Sequence, residues 1–228
     1  MFPQKPYEAA NRSHMQFRSE FVYLNALYYL VVSCKDTLNQ KLVEDLKKGG
    51  IAVGMVTHAI SKSQVQSVIV YSSDAEKMAN DFDGFINLTN QQAFVSSHRM
   101  LTNYFHHLLK ELVELESINL KSSDIKQLDG YSLSSKSILR IYKSIGIDIA
   151  NDAHETTQLK RHSATRNIIE HNNGVANSEY IMLTGYDLSV GDLALTNSKE
   201  VGEALAITEH VVQNVNSQAL EKWPNLIT

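Results

Sequence analysis

Several residue types that often direct the search for a function are scarce in this chain. It has a single cysteine, Cys34, among 228 residues, so an intramolecular disulfide framework is excluded and a reducing compartment is favoured. It has only three prolines, the residue that most often interrupts long helices. The net charge of −4 at pH 7 provides no basic field for unspecific coating of nucleic acid, although a small, locally basic site remains compatible with it.

Long hydrophobic runs are missing as well. The run from Phe21 to Cys34 is apolar, but it contains Asn25 and is shorter than the roughly 18 residues that a membrane span needs. No stretch resembles the cleavage site of a signal peptide. We therefore expect a cytoplasmic protein with no membrane partner, and we interpret Cys34 as a small buried side chain.

Sequence motifs for common cofactors are not present. Neither a G-x-G-x-x-G stretch nor a Walker-type loop occurs, so a dinucleotide or P-loop site has no support. The nine histidines raise the question of a metal site, but the adjacent His106 and His107 would point about 100° apart on a helix. Glu111 follows His107 by one turn, and two ligands do not make a metal site. We expect no cofactor and no metal, and we interpret these histidines and His98 as surface or core residues.

The sequence does contain the hydrophobic periodicity of long helices. Apolar residues recur at spacings of three and four over Phe17–Leu46, Asn90–Glu116 and Ser198–Trp223, which predicts three long helices. The inner face of the last is predicted from Val201, Leu205, Thr208, Val212, Val215 and Ala219. Shorter helices are predicted over Ser137–Ile145 and over Asp152–His171, the second ended by Asn172-Asn173-Gly174.

The segments between the helices are predicted as turns, loops or irregular structure: a turn at Asp83-Gly84, a loop over Ser117–Ser135 and an irregular segment over Val175–Thr196. For residues 51–73 a strand and a short helix both remain open, because periodicity cannot separate them. The pattern predicts an all-α helical bundle. We divide the chain into an N-terminal helical extension, residues 1–89, packed on a helical domain, residues 90–228.

One group of residues has the composition of a catalytic site: Arg166-Asn167-Ile168-Ile169-Glu170-His171. Arginine carries a permanent cationic fork suited to phosphate oxygens, and histidine exchanges protons near neutral pH. Asn167 lies one turn before His171 and shares its face of the helix. When the 2′-hydroxyl of RNA attacks the neighbouring phosphate, protons must be transferred at the 2′ and 5′ oxygens. A positive charge must also stabilise the phosphorane-like transition state. This chemistry requires no metal.

Two structural alternatives remain open for these charged residues. Arg166 and Glu170 are spaced i, i+4 and could simply pair on a solvated helix face. The basic run Lys160-Arg161-His162 could hold RNA one to two turns before the motif, or it could be a solvated face of the same helix.

The motif resembles the R-x4-6-H signature of HEPN ribonucleases, in which a polar residue follows the arginine. The wider string from Thr165 to Gly174, and on to Tyr180-Ile181, is similar to the "RN-x3-HN-x-G … Y" stretch of bacterial members. The resemblance covers roughly Asn90 to Trp223. It departs from antitoxin-modified members, because Asn173 stands where those have the tyrosine of an H-x-Tyr extension.

The resemblance implies a HEPN-like helical bundle with additional N-terminal helices, which forms a homodimer so that two motifs face one cleft. It implies a metal-independent endoribonuclease that leaves a 2′,3′-cyclic phosphate, with Arg166, Asn167 and His171 as catalytic residues. For such an enzyme we expect the basic run Lys160, Arg161 and His162 to bind RNA. Phage defence or a toxin system, with an antitoxin or another operon partner, is the implied setting. The alternatives are a catalytically silent HEPN module for dimerisation or RNA binding, and an unrelated helical interaction protein.

Overall fold

The structure, a computed structural model, describes residues 11–47, 82–131, 133–194 and 197–226. These ranges contain α-helices and one short 3₁₀ helix, Pro224–Leu226, and no strand, so the predicted all-α class is confirmed. The α-helices are α1 (Arg12–Ser33), α2 (Lys35–Lys47), α3 (Phe82–Glu114), α4 (Ser122–Asp129), α5 (Ser135–Ser144), α6 (Ala153–His171), α7 (Ser178–Thr184) and α8 (Ser198–Lys222).

Contacts divide the described residues into two compact units. One contains the residues up to Ala26 and from Gln91 onward, and the other runs from Leu27 to Asn90. One boundary therefore lies close to the division expected between residues 89 and 90. Residues 12–26 of α1 belong to the same unit as the C-terminal helices, although all of α1 falls in the predicted N-terminal extension.

Glu111 of α3 fixes the beginning of α1. Its buried carboxylate accepts hydrogen bonds from the backbone N–H groups of Arg12, at 3.2 Å, and Ser13, at 3.1 Å. The first N–H groups of a helix have no intrahelical partners and favour a negative charge nearby, so this carboxylate caps the helix. Glu111, considered above as a metal ligand beside His107, thus has a structural role.

The core of the first unit lies against α8. The predicted inner face of this helix is buried at all six positions from Val201 to Ala219. The helix begins with a capping box, in which Asn197 and Glu200 each accept a hydrogen bond from the other's backbone N–H. Fully buried residues of α3 and α5 complete the core: Leu108, Leu109, Leu112, Ile141 and Tyr142.

Three predictions for the connecting segments were wrong. Asp83-Gly84 lies inside α3, the predicted loop over Ser117–Ser135 contains α4, and the predicted irregular segment over Val175–Thr196 contains α7. Tertiary contacts stabilise the two short helices. Asp124 of α4 forms an ion pair with Arg140 of α5 at 2.8 Å, and Tyr180 of α7 is buried against α6.

Three further predictions concern the N-terminal half. The helix expected over Phe17–Leu46 is divided at Cys34, which is half-buried. Leu115, inside the range Asn90–Glu116 predicted as the second long helix, lies beyond the end of α3 and is exposed. The strand-or-helix prediction for residues 51–73 falls outside the described residues.

No helix in the described ranges combines the length and the low polarity that crossing a membrane requires.

The helix that carries the motif, α6, has well-defined ends. Asp152 caps its N-terminus by accepting a hydrogen bond from the Glu155 N–H at 2.8 Å. At the other end Asn173 adopts a left-handed conformation, with φ of 51°, and the Gly174 N–H donates to the Ile168 carbonyl oxygen at 2.8 Å. Two successive residues in the left-handed conformation, Asn173 and Gly174, stop the helix directly after His171, as the Asn172-Asn173-Gly174 signal predicted.

Candidate functional site

The motif residues occupy the last two turns of α6. Ile168, between them, is buried and anchors this part of the helix against Ala164, Ala176, Tyr180 and Ala194. Asn167 and His171 are exposed, and Arg166 is half-buried. The apolar contacts of the inner face therefore hold the polar residues of the outer face at the surface.

Among the residues that the structure describes, Arg166 has two polar partners, both on its own helix. Its Nη1 donates to Asn167 Oδ1 at 3.0 Å, and its Nη2 forms an ion pair with Glu170. The i, i+4 pair that the sequence left open is thus present, with 31% of the Arg166 side chain and 22% of the Glu170 side chain exposed. A guanidinium carries five N–H donors, so the pair leaves donors that have no acceptor among the described residues.

Arg166 and His171 do not share one face of the helix. At 3.6 residues per turn, the two side chains leave the axis about 140° apart, whereas Asn167 and His171 are separated by only about 40°. His171 forms no hydrogen bond or ion pair with any residue that the structure describes. A single chain therefore presents a cation on one side of α6 and an unengaged imidazole, next to Asn167, on the other.

The basic run does not form one continuous patch. Lys160 is exposed and Arg161 is half-buried, but His162 is only 3% exposed. Burial is the main cause that lowers the pKa of His162 to about 3, so its imidazole is neutral at physiological pH. Of the three predicted RNA-binding residues, Lys160 and Arg161 can present a cation at the surface, and His162 is a core residue.

The cavity beside Arg161 is small. His162, Thr165 and Tyr186 line it together with Glu200 of α8, and its volume is about 30 Å³. Burial and the neighbouring Glu200 carboxylate raise the pKa of Tyr186 to about 12. The cavity has room for a water-sized group and none for a nucleobase.

One histidine that the sequence placed among surface or core residues lies half-buried against the helix that carries the motif. His98 of α3 packs edge-on against His162, with ring centroids 5.3 Å apart. Burial, and then the positive charge of Arg166, lower the pKa of His98 to about 4. The sequence could have predicted this position, because His98 follows Phe94 by four residues and so lies on the inner face of α3 that packs against α6.

Within the described ranges, no group of three or more His, Cys, Asp or Glu residues is arranged to hold a metal ion.

Comparison of the chain with protein-family models, with curated proteins and with solved structures finds no match.

Proposed function

We propose that this protein is a metal-independent endoribonuclease of the HEPN type that acts as a homodimer. One observation carries the proposal: Arg166, Asn167 and His171 lie together in the last two turns of a helix whose inner face is anchored in the core, and all three reach the surface. The resemblance of this segment to the R-x4-6-H motif supplies the reaction type.

In this proposal Arg166 binds the phosphate at which RNA is cut. The phosphate displaces the Glu170 carboxylate, because a doubly hydrogen-bonded phosphate satisfies the guanidinium fork as well as a carboxylate does. Bound in this way, the cation stabilises the negative charge that develops on the phosphate oxygens as the 2′-oxygen attacks. Asn167, which already contacts Arg166, orients it.

His171 is the proton-transfer group of the proposed reaction. Attack of the 2′-hydroxyl on phosphorus breaks the bond to the 5′-oxygen, so one proton leaves the first oxygen and another reaches the second. One imidazole per chain provides one of these functions, and a second copy provides the other. The angle of about 140° between Arg166 and His171 also favours a dimer, in which the Arg166 of one copy serves the His171 of the other.

The remaining parts of the proposal concern partners and setting. Lys160 and Arg161 lie one to two turns before Arg166 and would contact the RNA backbone next to the scissile phosphate. A role in phage defence or in a toxin system, with an antitoxin or another operon partner, follows from the resemblance alone.

A catalytically silent module for RNA binding or dimerisation is the second candidate. The observation that favours it is the ion pair between Arg166 and Glu170, which neutralises the cation of the motif in the free protein. Under this candidate the protein binds RNA, and the RNA stays intact.

The test is cleavage of a mixed-sequence RNA by the purified protein in the presence of EDTA. We expect products with a 2′,3′-cyclic phosphate or 3′-phosphate end, and His171→Ala should lower the cleavage rate by about 10²–10⁴-fold. His154→Asn, a change of an exposed histidine in the first turn of the same helix, is the matched control. Binding of intact RNA without cleavage would establish the silent module instead.

A second measurement addresses the dimer. Sedimentation at micromolar concentration should give the mass of two chains, because the proposed site is incomplete in one. A stable monomer with full cleavage activity would contradict the two-copy arrangement.

A further inference from the structure

Helix α1 is apolar on both of its sides. Its inner side packs in the core through Phe17 and Phe21, which are buried. Large apolar side chains on the rest of its circumference are exposed over 48–74% of their surface: Met15, Val22, Tyr23, Leu27, Tyr29 and Leu30. A helix that is apolar all round is normally buried on all sides. The outward side of α1 therefore has the composition of a contact surface.

The outward side of α1 also has a regular repeat. Its central line consists of residues that are alternately four and three positions apart, all of them exposed: Met15, Ser19, Val22, Ala26, Tyr29 and Ser33. We call this line the α1 seam. The spacing is that of the a and d positions of a coiled coil, at which side chains of one helix insert between those of another. At 3.6 residues per turn the seam lies about 160° around the helix from Phe17, so it faces away from the core.

The charges of α1 leave the seam neutral. Arg12, Arg18 and Glu20 lie in the first half of the helix, and the stretch from Phe21 to Ser33 contains no charged residue. Helices that lie on a membrane surface carry Lys and Arg on a polar side, whereas the other side of α1 packs in the core. An apolar protein surface therefore fits the seam better than lipid headgroups do, and no like charges oppose the pairing of two copies.

The exposed apolar area is of the size that two copies of a protein bury. Fully exposed side chains of this kind present about 150–250 Å² each, so the six large ones offer on the order of 700 Å² at their observed exposure. The largest apolar patch on a monomer is typically about 300–600 Å². A stable interface of standard size buries about 800 Å² on each partner. The area is thus large for a monomer and close to what a dimer needs.

We propose that two copies of this chain pair through the α1 seam. A helix with the same repeat complements such a seam, and a second copy provides one by symmetry. Small residues at alternate positions of the seam, Ser19, Ala26 and Ser33, leave room for the large side chains of the partner helix. The proposed ribonuclease needs a second copy, and the inference names the surface that holds it. In this respect it rests on the proposed function.

Sedimentation of glutamate variants tests the seam. Val22→Glu and Leu30→Glu should each raise the dimer dissociation constant by roughly a hundredfold or more, because the dimer would bury two carboxylates without partners. Val190→Glu and Leu139→Glu, at side chains that are 67% and 54% exposed outside α1, are the matched controls and should leave the dimer intact. Far-UV circular dichroism should show the same helix content in all four variants, since each altered side chain is exposed in the single chain.

A cross-link tests the pairing without weakening it. Ala26→Cys in a Cys34→Ser background puts one thiol in the middle of the seam. A short bifunctional thiol reagent should join two chains of this variant, and it should not join chains of Val190→Cys in the same background. This measurement decides the inference even where a glutamate variant fails to fold.

The outcomes separate the inference from the proposed function. A monomeric wild type, dimers that persist in both α1 glutamate variants, or no cross-link through residue 26 would overturn the inference. If the α1 variants dissociate and the wild-type dimer leaves RNA intact, the inference stands and only the proposed function fails. RNA cleavage by a dimer that both substitutions leave unchanged would have the opposite meaning.

Discussion

The polar side chains in two regions of α6 have opposite environments. In the middle of α6, His162 is buried against α3, restrained by Ser97, Phe94 and His98, and neutral. Two turns later, at the C-terminal end, Asn167 and His171 are exposed, and Arg166 pairs with Asn167 and Glu170 of its own helix. The middle of the helix is made rigid by packing, and the end is left accessible to a ligand.

The difference shows that residue type does not assign a role on this helix. A histidine packed among aromatic rings contributes to stability through its buried contacts, and burial keeps it neutral. A histidine at an exposed helix end contributes little to stability and is accessible for proton transfer. The four predictions below test this contrast.

Of these four predictions, the largest effect is expected for the Arg166 and Glu170 pair. Arg166→Ala should lower RNA cleavage by about 10²–10³-fold, because it removes the donor that stabilises charge in the transition state. Glu170→Ala removes the other partner of the same ion pair and should leave cleavage nearly normal. Arg166→Lys should not restore full activity, since an ammonium lacks the bidentate fork. Equal, small changes for both alanine variants would mean that the pair is only structural.

The next effect is on folding. His162→Ala should lower the free energy of unfolding by about 1–3 kcal/mol, because it removes a buried ring and leaves the Ser97 hydroxyl without its donor. His171→Ala should stay within about 0.5 kcal/mol of the wild type. Urea denaturation of the two variants measures both, and similar losses would remove the distinction between the two regions.

His162, which is buried, and His98, which is half-buried, should make stability depend on pH. The folded-state pKa values, about 4 for His98 and about 3 for His162, lie below the ordinary value of 6.5. At pH values between these limits the unfolded chain therefore binds more protons than the folded protein. Unfolding free energy should therefore fall as pH drops from about 6.5 toward 4, by up to about 1.4 kcal/mol per pH unit for each histidine. His162→Phe should flatten this dependence, and His171→Ala should leave it unchanged.

The smallest effect is expected for RNA binding outside the motif. Arg161→Ala should weaken binding of a non-cleavable 2′-deoxy oligonucleotide analogue by a few-fold and reduce the slope of log affinity against log salt by about one. Lys136→Ala, an equal change of charge on α5, is the control. An unchanged slope for Arg161→Ala would make the basic run a solvated face.

The sequence predicted much of the fold because long helices have a clear periodicity of apolar residues. The inner face of α8 and both ends of α6 follow from apolar spacing and capping residues, which are local properties. The helices α4 and α7 were missed because short segments have little periodicity, and contacts such as Asp124 with Arg140 stabilise them. The break at Cys34 was missed because the apolar spacing continues through it.

For the candidate site, the sequence by itself determined which groups lie at the end of α6, since Arg166, Asn167 and His171 are close in the chain and a helix fixes their angles. It also raised Glu170 as a possible partner of Arg166, whereas the contact of Arg166 with Asn167 came from the structure. Only the tertiary structure decided that His162 faces the core, because burial depends on what α3 presents opposite it. The meeting of His98 with His162, 64 positions apart in the sequence, likewise required the packing of two helices, since no local pattern encodes which ring a distant side chain will contact.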